Sequence, residues 1–175
     1  TVAQAGYLMV GLAAMSTLPG GEDNAGPAGI LFYTAGYAMT NLTAFAVIIA
    51  VSSYTKDDRI DSFAGLAKKS PFLASAMTLA MISLIGIPPT VGFISKVYIF
   101  GSAMDTGLEW LVVVGVLNSV VSAYYYLRVV KVMFFSTTEN TKSINSGLGA
   151  VSATTIAMIA TFAFGLYPTP IIELA

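Results

Sequence analysis

The sequence contains no cysteine and no histidine, and charged residues are scarce. Disulfides, thiol nucleophiles, cysteine or histidine zinc ligands and Ser–His triads are therefore excluded within it. Charged residues make up 10% of the 175 positions, against about 25% in ordinary globular domains, so a soluble fold would struggle to cover its surface. The net charge of −1 argues against a nucleic-acid partner. We predict no catalytic, cofactor-binding or metal-binding residue in this chain.

In place of charge, the sequence has long apolar blocks. Hydrophobic residues make up 56% of the chain, and the mean hydropathy is +0.79. About 20 apolar residues suffice to cross the hydrocarbon core of a membrane as a helix. We predict an all-α membrane protein with five transmembrane helices, at about 1–18, 28–54, 71–104, 110–135 and 147–167. Residues 1–175 are expected to form a single membrane domain, a fragment from the C-terminal part of a longer protein, because the sequence starts at Thr1 without a methionine.

The charges in the connecting segments predict an orientation. Apart from Lys96, the lysines and arginines fall in two segments, 55–70 and 128–146: Lys56, Arg59, Lys68, Lys69, Arg128, Lys131 and Lys142. The alternate loops carry only acidic residues: Glu22, Asp23, Asp105, Glu109 and Glu173. Short loops rich in lysine and arginine face the cytoplasm. We therefore expect the N-terminus inside, the C-terminus outside and five crossings between them.

The third block contains a helix-breaking segment, "IGIPPTVGFISKVYIFG" at 85–101. As one helix, residues 71–104 would extend about 51 Å, well beyond the ~30 Å hydrocarbon core. Pro88 and Pro89 lack N–H donors, and Gly86 and Gly92 permit non-helical backbone. The sequence predicts two half-helices, roughly 71–87 and 92–104, with a discontinuity at Gly86–Gly92.

Lys96 is the one ionisable residue of the apolar blocks that lies far from any loop. Counting back from Asp105 puts it about 13 Å inside the outer boundary, near the bilayer centre. Ionisable groups at that depth are expensive and indicate a function, here a titratable lysine in a proton path. The alternative is that Lys96 snorkels to the outer interface after an ordinary span that ends near Pro88. No carboxylate of the chain lies at comparable depth, so a partner carboxylate would come from elsewhere.

Polar side chains recur at helical spacing in two other blocks. Tyr33, Tyr37, Thr40 and Asn41 share one face of the second block, and Asn118, Ser122 and Tyr125 share one face of the fourth, with Ser119 and Tyr126 beside them. Gln4 is a similar case in the first block. These groups can hold a file of waters for a proton path, or they can simply join helices by hydrogen bonds. The candidate proton path comprises Lys96, Asn41, Tyr37, Asn118, Ser122, Tyr125 and Gln4.

Five segments carry a family resemblance. In order, "AQAGYLMVGL", "YTAGYAMTNLTAFAVI", "DRIDSFAGLAKKSP", "SLIGIPPTVGFISKVYIF" and "VLNSVVSAYYYLRVVKVMF" resemble the C-terminal half of the subunit N family of proton-translocating NADH–quinone oxidoreductase, respiratory complex I. The resemblance is weaker beyond residue ~135. "GIPPTVGFISK" followed by "SAYYYLRV" is typical of subunit N. The related subunits L and M and the cation/proton antiporter subunits share the broken helix and its lysine.

This resemblance implies half of an antiporter-like inverted-repeat bundle, in which Lys96 passes protons towards the outer side. It implies that the glutamate and two lysines of the family's channel lie in an N-terminal half absent here. No cofactor is expected in this chain, since NADH and quinone are used by the whole complex. The expected partners are antiporter-like and small connecting membrane subunits and the lipid bilayer, in the cytoplasmic membrane of a bacterium. Many bacterial members carry histidine where this chain has Gln4.

Two other functions remain open from the sequence. The chain could be a subunit of a multi-subunit cation/proton antiporter, or a structural membrane subunit in which Lys96 is paired and silent. Since the sequence offers no nucleophile–base pair, any enzyme label belongs to the assembly, an NADH–quinone oxidoreductase, and not to a catalytic centre in this chain.

Overall fold

A computed structural model describes residues 2–16, 25–136, 144 and 148–169 as an all-helical structure. The helices among these residues are α1 (Val2–Ser16), α2 (Ala25–Thr55), a 3₁₀ turn (Ile60–Phe63), α3 (Leu66–Lys69), α4 (Pro71–Ile85), α5 (Val91–Asp105), α6 (Glu109–Phe135) and α7 (Leu148–Leu166). Of the charges used to predict the orientation, Glu22, Asp23, Lys142 and Glu173 lie outside the described residues. The orientation stays a prediction.

Two helices of the described chain are long and apolar enough to cross a membrane, Pro27–Thr55 and Glu109–Phe135. Three further apolar helical stretches are shorter: Val2–Met15, Pro71–Ile85 and Val151–Leu166. α4 and α5 have 15 residues each, or about 22 Å, so neither alone crosses a ~30 Å hydrocarbon core. The all-helical class is observed, and the count of five crossings stays a prediction.

The backbone between α4 and α5 leaves helical geometry for five residues, Gly86–Thr90, which we call the break. Gly86 adopts a left-handed conformation (φ +86°), and its N–H bonds back to the carbonyls of Ile82 and Ser83. Glycine suits this position because a left-handed φ costs other residues about 1–2 kcal/mol. The Pro88–Pro89 peptide is cis, and Thr90 is the extended residue before α5. Gly86, Pro88 and Pro89 thus lie within the break.

Gly92 lies in the first turn of α5, one residue after the helix begins at Val91. Its role is close packing. A Cβ added there would collide with the backbone carbonyl oxygen of Ser83 and lie 2.9 Å from the Ser83 hydroxyl. The Gly92 N–H donates to that hydroxyl over 3.3 Å. The absence of a side chain at Gly92 therefore lets α5 lie directly against the end of α4.

The break lies between two apolar clusters. One joins α2, α4 and α6 and includes Val47, Leu73 and Met133, while the other joins α1, α2 and α5 and includes Tyr7 and Ile99. α2 packs against α4, α5 and α7 and is the helix that both clusters share. α7 contacts the break itself, since a Cβ on Gly165 would lie 2.6–2.7 Å from backbone atoms of Thr90 and Val91. Helix packing therefore buries the end of the break at Thr90, whereas Ile87, Pro88 and Pro89 are exposed.

Candidate functional site

The ammonium group of Lys96 lies against the carbonyl end of α4. Nζ donates hydrogen bonds to the carbonyl oxygens of Ile85 (2.7 Å) and Leu84 (3.2 Å), and the residue is only 6% exposed. In an α-helix the Cα–Cβ bond tilts towards the N-terminus, so a lysine one turn into α5 reaches back across the break. The ammonium is directed inward, contrary to the snorkelling alternative.

The break explains why carbonyl oxygens are free to hold an ammonium. The last four carbonyls of a helix lack intrahelical partners. The N–H groups of Gly86 and Ile87 take up those of Ile82 and Ser83, which leaves Leu84 and Ile85 for Lys96. The carbonyl end of a helix also carries partial negative charge, which favours a cation there. The break therefore frees carbonyl oxygens, and the ammonium of Lys96 provides their hydrogen-bond donor.

On one side, Lys96 begins a chain of hydroxyl groups. Nζ donates to Ser119 Oγ on α6 over 3.3 Å, and Ser119 shares a 2.8 Å hydrogen bond with the hydroxyl of Tyr7 on α1. Asn118 Nδ2 reaches the same hydroxyl at 3.5 Å. The Tyr7 ring also lies beneath the ammonium, 4.6 Å from Nζ to its centroid, where a cation–π attraction operates. Hydroxyls can accept and release a proton, so this chain can carry one away from the lysine.

On the other side, Gln4 connects α1 to three other helices, α2, α4 and α6. It is 2% exposed, and its Nε2 donates to the carbonyl of Leu84 (3.0 Å) and to the hydroxyl of Tyr126 (3.4 Å). Its Oε1 accepts from the hydroxyl of Tyr33. The Leu84 carbonyl accepts from both Gln4 and Lys96. This single oxygen joins the network around Gln4 to the lysine.

A small cavity opens beside the lysine, with a volume of about 10 Å³. That is close to the minimum for one water molecule, and the walls offer the polar partners that a buried water needs. Thr40 and Ser83 share a 3.0 Å hydrogen bond across it. Its lining residues come from α1, α2, α4 and α5: Gln4, Tyr33, Tyr37, Thr40, Ser83, Leu84, Gly92, Ser95 and Lys96. The arrangement can hold a water between the tyrosines and the ammonium.

Five of the seven predicted proton-path residues lie at the cavity, in the hydroxyl chain or buried beside it. Gln4, Tyr37 and Lys96 line the cavity, and Asn118 joins the hydroxyl chain through Tyr7. Ser122 is fully buried on α6, and its hydroxyl donates to the backbone carbonyl of Ser119.

Asn41 and Tyr125 do not line the cavity. Asn41 is absent from the cavity lining, and Tyr125 is 41% exposed. Successive helical residues differ by about 100°, so the inward faces carry Thr40 and Tyr126 and turn their neighbours away. On α6, the most buried of these positions are Ser122 and Tyr126, and the side chain of Tyr125 lies beside them on the exposed surface.

Tyr7 and Ser83 contribute to the site although the sequence did not single them out. Tyr7 lies three residues after Gln4, on the same face of α1, so the spacing itself was a usable signal. Ser83 lies three residues before Gly86 in an apolar run and gives no comparable signal. Its importance comes from the approach of Gly92, which only tertiary packing determines.

No carboxylate of the described chain lies near Lys96. The acidic residues there are at helix ends and in the loop after α2: Asp57, Asp58, Asp61, Asp105 and Glu109. The described residues also contain no group of three or more acidic, cysteine or histidine side chains able to hold a metal ion. The lysine is thus held by carbonyl and hydroxyl dipoles and an aromatic face.

Residues 1–122 match the family described as "NADH:quinone oxidoreductase/Mrp antiporter, TM". The chain is 39% identical over 175 residues to NADH-quinone oxidoreductase subunit N of Desulforamulus reducens. The alignment covers 100% of this chain and 35% of that protein. The chain therefore spans about a third of the length of this relative.

Two solved structures are similar to the fold. Respiratory complex I from Thermus thermophilus, with bound aureothin, contains a chain with a TM-score of 0.68 and 28% identity, covering 97% of this chain and 44% of that one. The Mrp complex from Dietzia sp. gives a TM-score of 0.83 at 21% identity, covering 98% and 39%, which indicates a shared fold alone.

Proposed function

The chain belongs to the NADH:quinone oxidoreductase/Mrp antiporter family of transmembrane proteins, and from this premise we propose that it forms the C-terminal part of subunit N of a proton-pumping NADH–quinone oxidoreductase. In this role it contributes part of a proton channel and no redox centre. NADH and quinone would be used elsewhere in the assembly, with this chain embedded in a bacterial cytoplasmic membrane beside other membrane subunits.

One observation carries the proposal: the buried Lys96 ammonium sits on freed carbonyls at the break and is continuous with hydrogen-bonding groups on two sides. Towards α2 and α4 it adjoins the cavity and the network of Gln4. Towards α1 and α6 it reaches Ser119 and Tyr7.

The proposed path has three steps. A proton arrives through water in the cavity and is taken up by the neutral amine of Lys96. The ammonium passes a proton to the Ser119 hydroxyl, which releases its own proton towards Tyr7. Unwound backbone is tolerated within a membrane only where protein or a watery cavity surrounds it, so this proposal requires the exposed residues Ile87, Pro88 and Pro89 to be covered in the assembled complex.

The membrane topology follows from the same proposal. α4, the break and α5 together form one crossing of a single membrane domain, and α1, α2, α6 and α7 form the other four. The N-terminal end of α1 would face the cytoplasm and the C-terminus the outside, as the lysine and arginine distribution predicts.

The test is proton pumping by the full-length parent complex in membrane vesicles. Lys96→Ala and Lys96→Arg are compared with Lys68→Ala, which removes an exposed lysine of α3 and serves as the matched control. Quinone reduction and acidification are recorded together, and native gels establish assembly.

We expect assembled complexes in which coupled turnover falls sharply in Lys96→Ala, less in Lys96→Arg and not in Lys68→Ala. Proton transfer by a positioned group is worth about 10²–10⁴-fold, so the Ala defect should be large. Normal pumping by both Lys96 variants would overturn the proposal. Loss of assembly in both would instead identify Lys96 as the structural cap of α4.

A further inference from the structure

The end of α6 carries an open groove that the proton path does not use. Its volume is about 510 Å³, within the ~300–1,000 Å³ range of ligand pockets. Its lining among the described residues comes from α6 and the residue that follows: Tyr124, Leu127, Arg128, Lys131, Val132 and Ser136. Two cations and several apolar side chains thus share one surface, which we call the basic groove.

The two cations of the basic groove lie on the same face of α6. Arg128 and Lys131 are three residues apart, which places them side by side on one helix face. Both are exposed, and neither forms an ion pair with any residue that the structure describes. An arginine fork beside an ammonium favours an anion such as a phosphate, which accepts charge-assisted hydrogen bonds from both.

An apolar stripe leads away from these cations along α6. Its members are all exposed and recur every three or four residues: Val113, Leu117, Val120, Tyr124 and Leu127. Interfaces between membrane helices are enriched in glycine, alanine and serine, which allow backbones to approach closely. This stripe contains none of them, so it suits flexible acyl chains better than a second helix.

The depth of the groove fits an amphiphile. α6 has 27 residues, about 40 Å, so roughly 10 Å of it lies beyond a ~30 Å hydrocarbon core. Arg128 and Lys131 lie in its last two turns, where long cationic side chains reach the headgroup region, and Tyr124 has the aromatic character found at that boundary.

We propose that the basic groove binds an anionic phospholipid, with its phosphate between Arg128 and Lys131 and an acyl chain along the stripe from Leu127 to Val113. The inference requires α6 to cross the membrane but not Lys96 to carry protons. The expected ligand class is a glycerophospholipid with a net negative headgroup, such as phosphatidylglycerol.

The test is a lipid titration of the full-length subunit in mild detergent, followed by native mass spectrometry. Phosphatidylglycerol and phosphatidylcholine are titrated against the parent and a double variant, Arg128→Gln with Lys131→Gln. The matched control, Lys56→Gln with Lys68→Gln, removes two exposed cations outside the groove. A second variant, Arg128→Lys with Lys131→Arg, keeps both charges and guards against a folding defect.

We expect one tight phosphatidylglycerol that the groove variant binds about 30-fold more weakly, since each lysine or arginine contributes about 1 kcal/mol near an anionic lipid. The control and the charge-preserving variant should bind like the parent. Equal binding of both lipids, or equal binding by the groove variant and the parent, would overturn the proposal. So would a photo-crosslinker at Val120 that captures another polypeptide in the intact complex in place of lipid.

Discussion

Replacement of Gly92 by alanine should disrupt the contact between α4 and α5 that positions Lys96. The added Cβ would collide with the Ser83 carbonyl oxygen and lie 2.8 Å from the Ser83 carbonyl carbon. These are backbone atoms of a packed helix and cannot rotate away. To restore ordinary contact the two helices must separate by on the order of 1 Å, because packed interiors have little free space.

Gly101 provides the matched control, because it lies in the same helix and an added Cβ there meets nothing within 4 Å. Alanine in place of glycine in a helix interior stabilises by about 0.5–1 kcal/mol, whereas overpacking costs about 1–3 kcal/mol. The two variants should therefore differ by about 1.5–4 kcal/mol in the free energy of unfolding, with opposite signs relative to the parent.

The assay is heating of the detergent-solubilised full-length subunit, with the remaining folded protein measured by size-exclusion chromatography. Gly92→Ala should lose folded protein at a lower midpoint temperature than the parent, and Gly101→Ala at an equal or higher one. Separation of the helices also stretches the 2.7 Å bond from Lys96 to Ile85, so coupled turnover should fall in the first variant only. Parent-like stability of Gly92→Ala would refute the close approach of α5 to Ser83.

Two further predictions concern the lysine's surroundings. Tyr126→Phe removes a hydroxyl that accepts from Gln4 and should lower the stability of the full-length subunit by about 0.5–1.5 kcal/mol in the same assay. Tyr125→Phe should cost less, because that side chain is 41% exposed and makes no hydrogen bond to Gln4 among the described residues. Gly86→Ala should impair pumping more than Gly107→Ala in vesicle measurements: both positions have positive φ, but only at Gly86 does the new Cβ meet Lys96, 2.9 Å from its Cδ. Equal pumping by the two glycine variants would contradict this geometry.

Much of the site's backbone follows from local sequence. Paired prolines and a glycine interrupt an apolar run too long for one crossing, and the structure has non-helical backbone at Gly86–Thr90. The position of Lys96 also follows from the sequence, because a side chain in the second turn of α5 points back towards the end of α4. The break and the direction of the Lys96 side chain are both predictable because each depends on local backbone geometry.

The inward faces of the helices were less predictable. A run such as "LNSVVSAYYY" offers polar residues on several faces, and an error of one position rotates the chosen face by about 100°. The packing of α6 against α4 and α1 selects Tyr126 over Tyr125 as the partner of Gln4. Ser83 is a second example, since the approach of Gly92 makes its hydroxyl an acceptor. Neither choice is encoded within a single helix.

The contact between α7 and the break bears on how small a working unit of this protein can be. The family signature ends at residue 122, whereas Gly165 lies against the backbone of Thr90 and Val91. A truncation at the end of the family match would keep every side chain that contacts the lysine and still uncover the backbone of Thr90 and Val91 on one flank. The segment that matches the family model and the segment that packs around the break therefore have different boundaries.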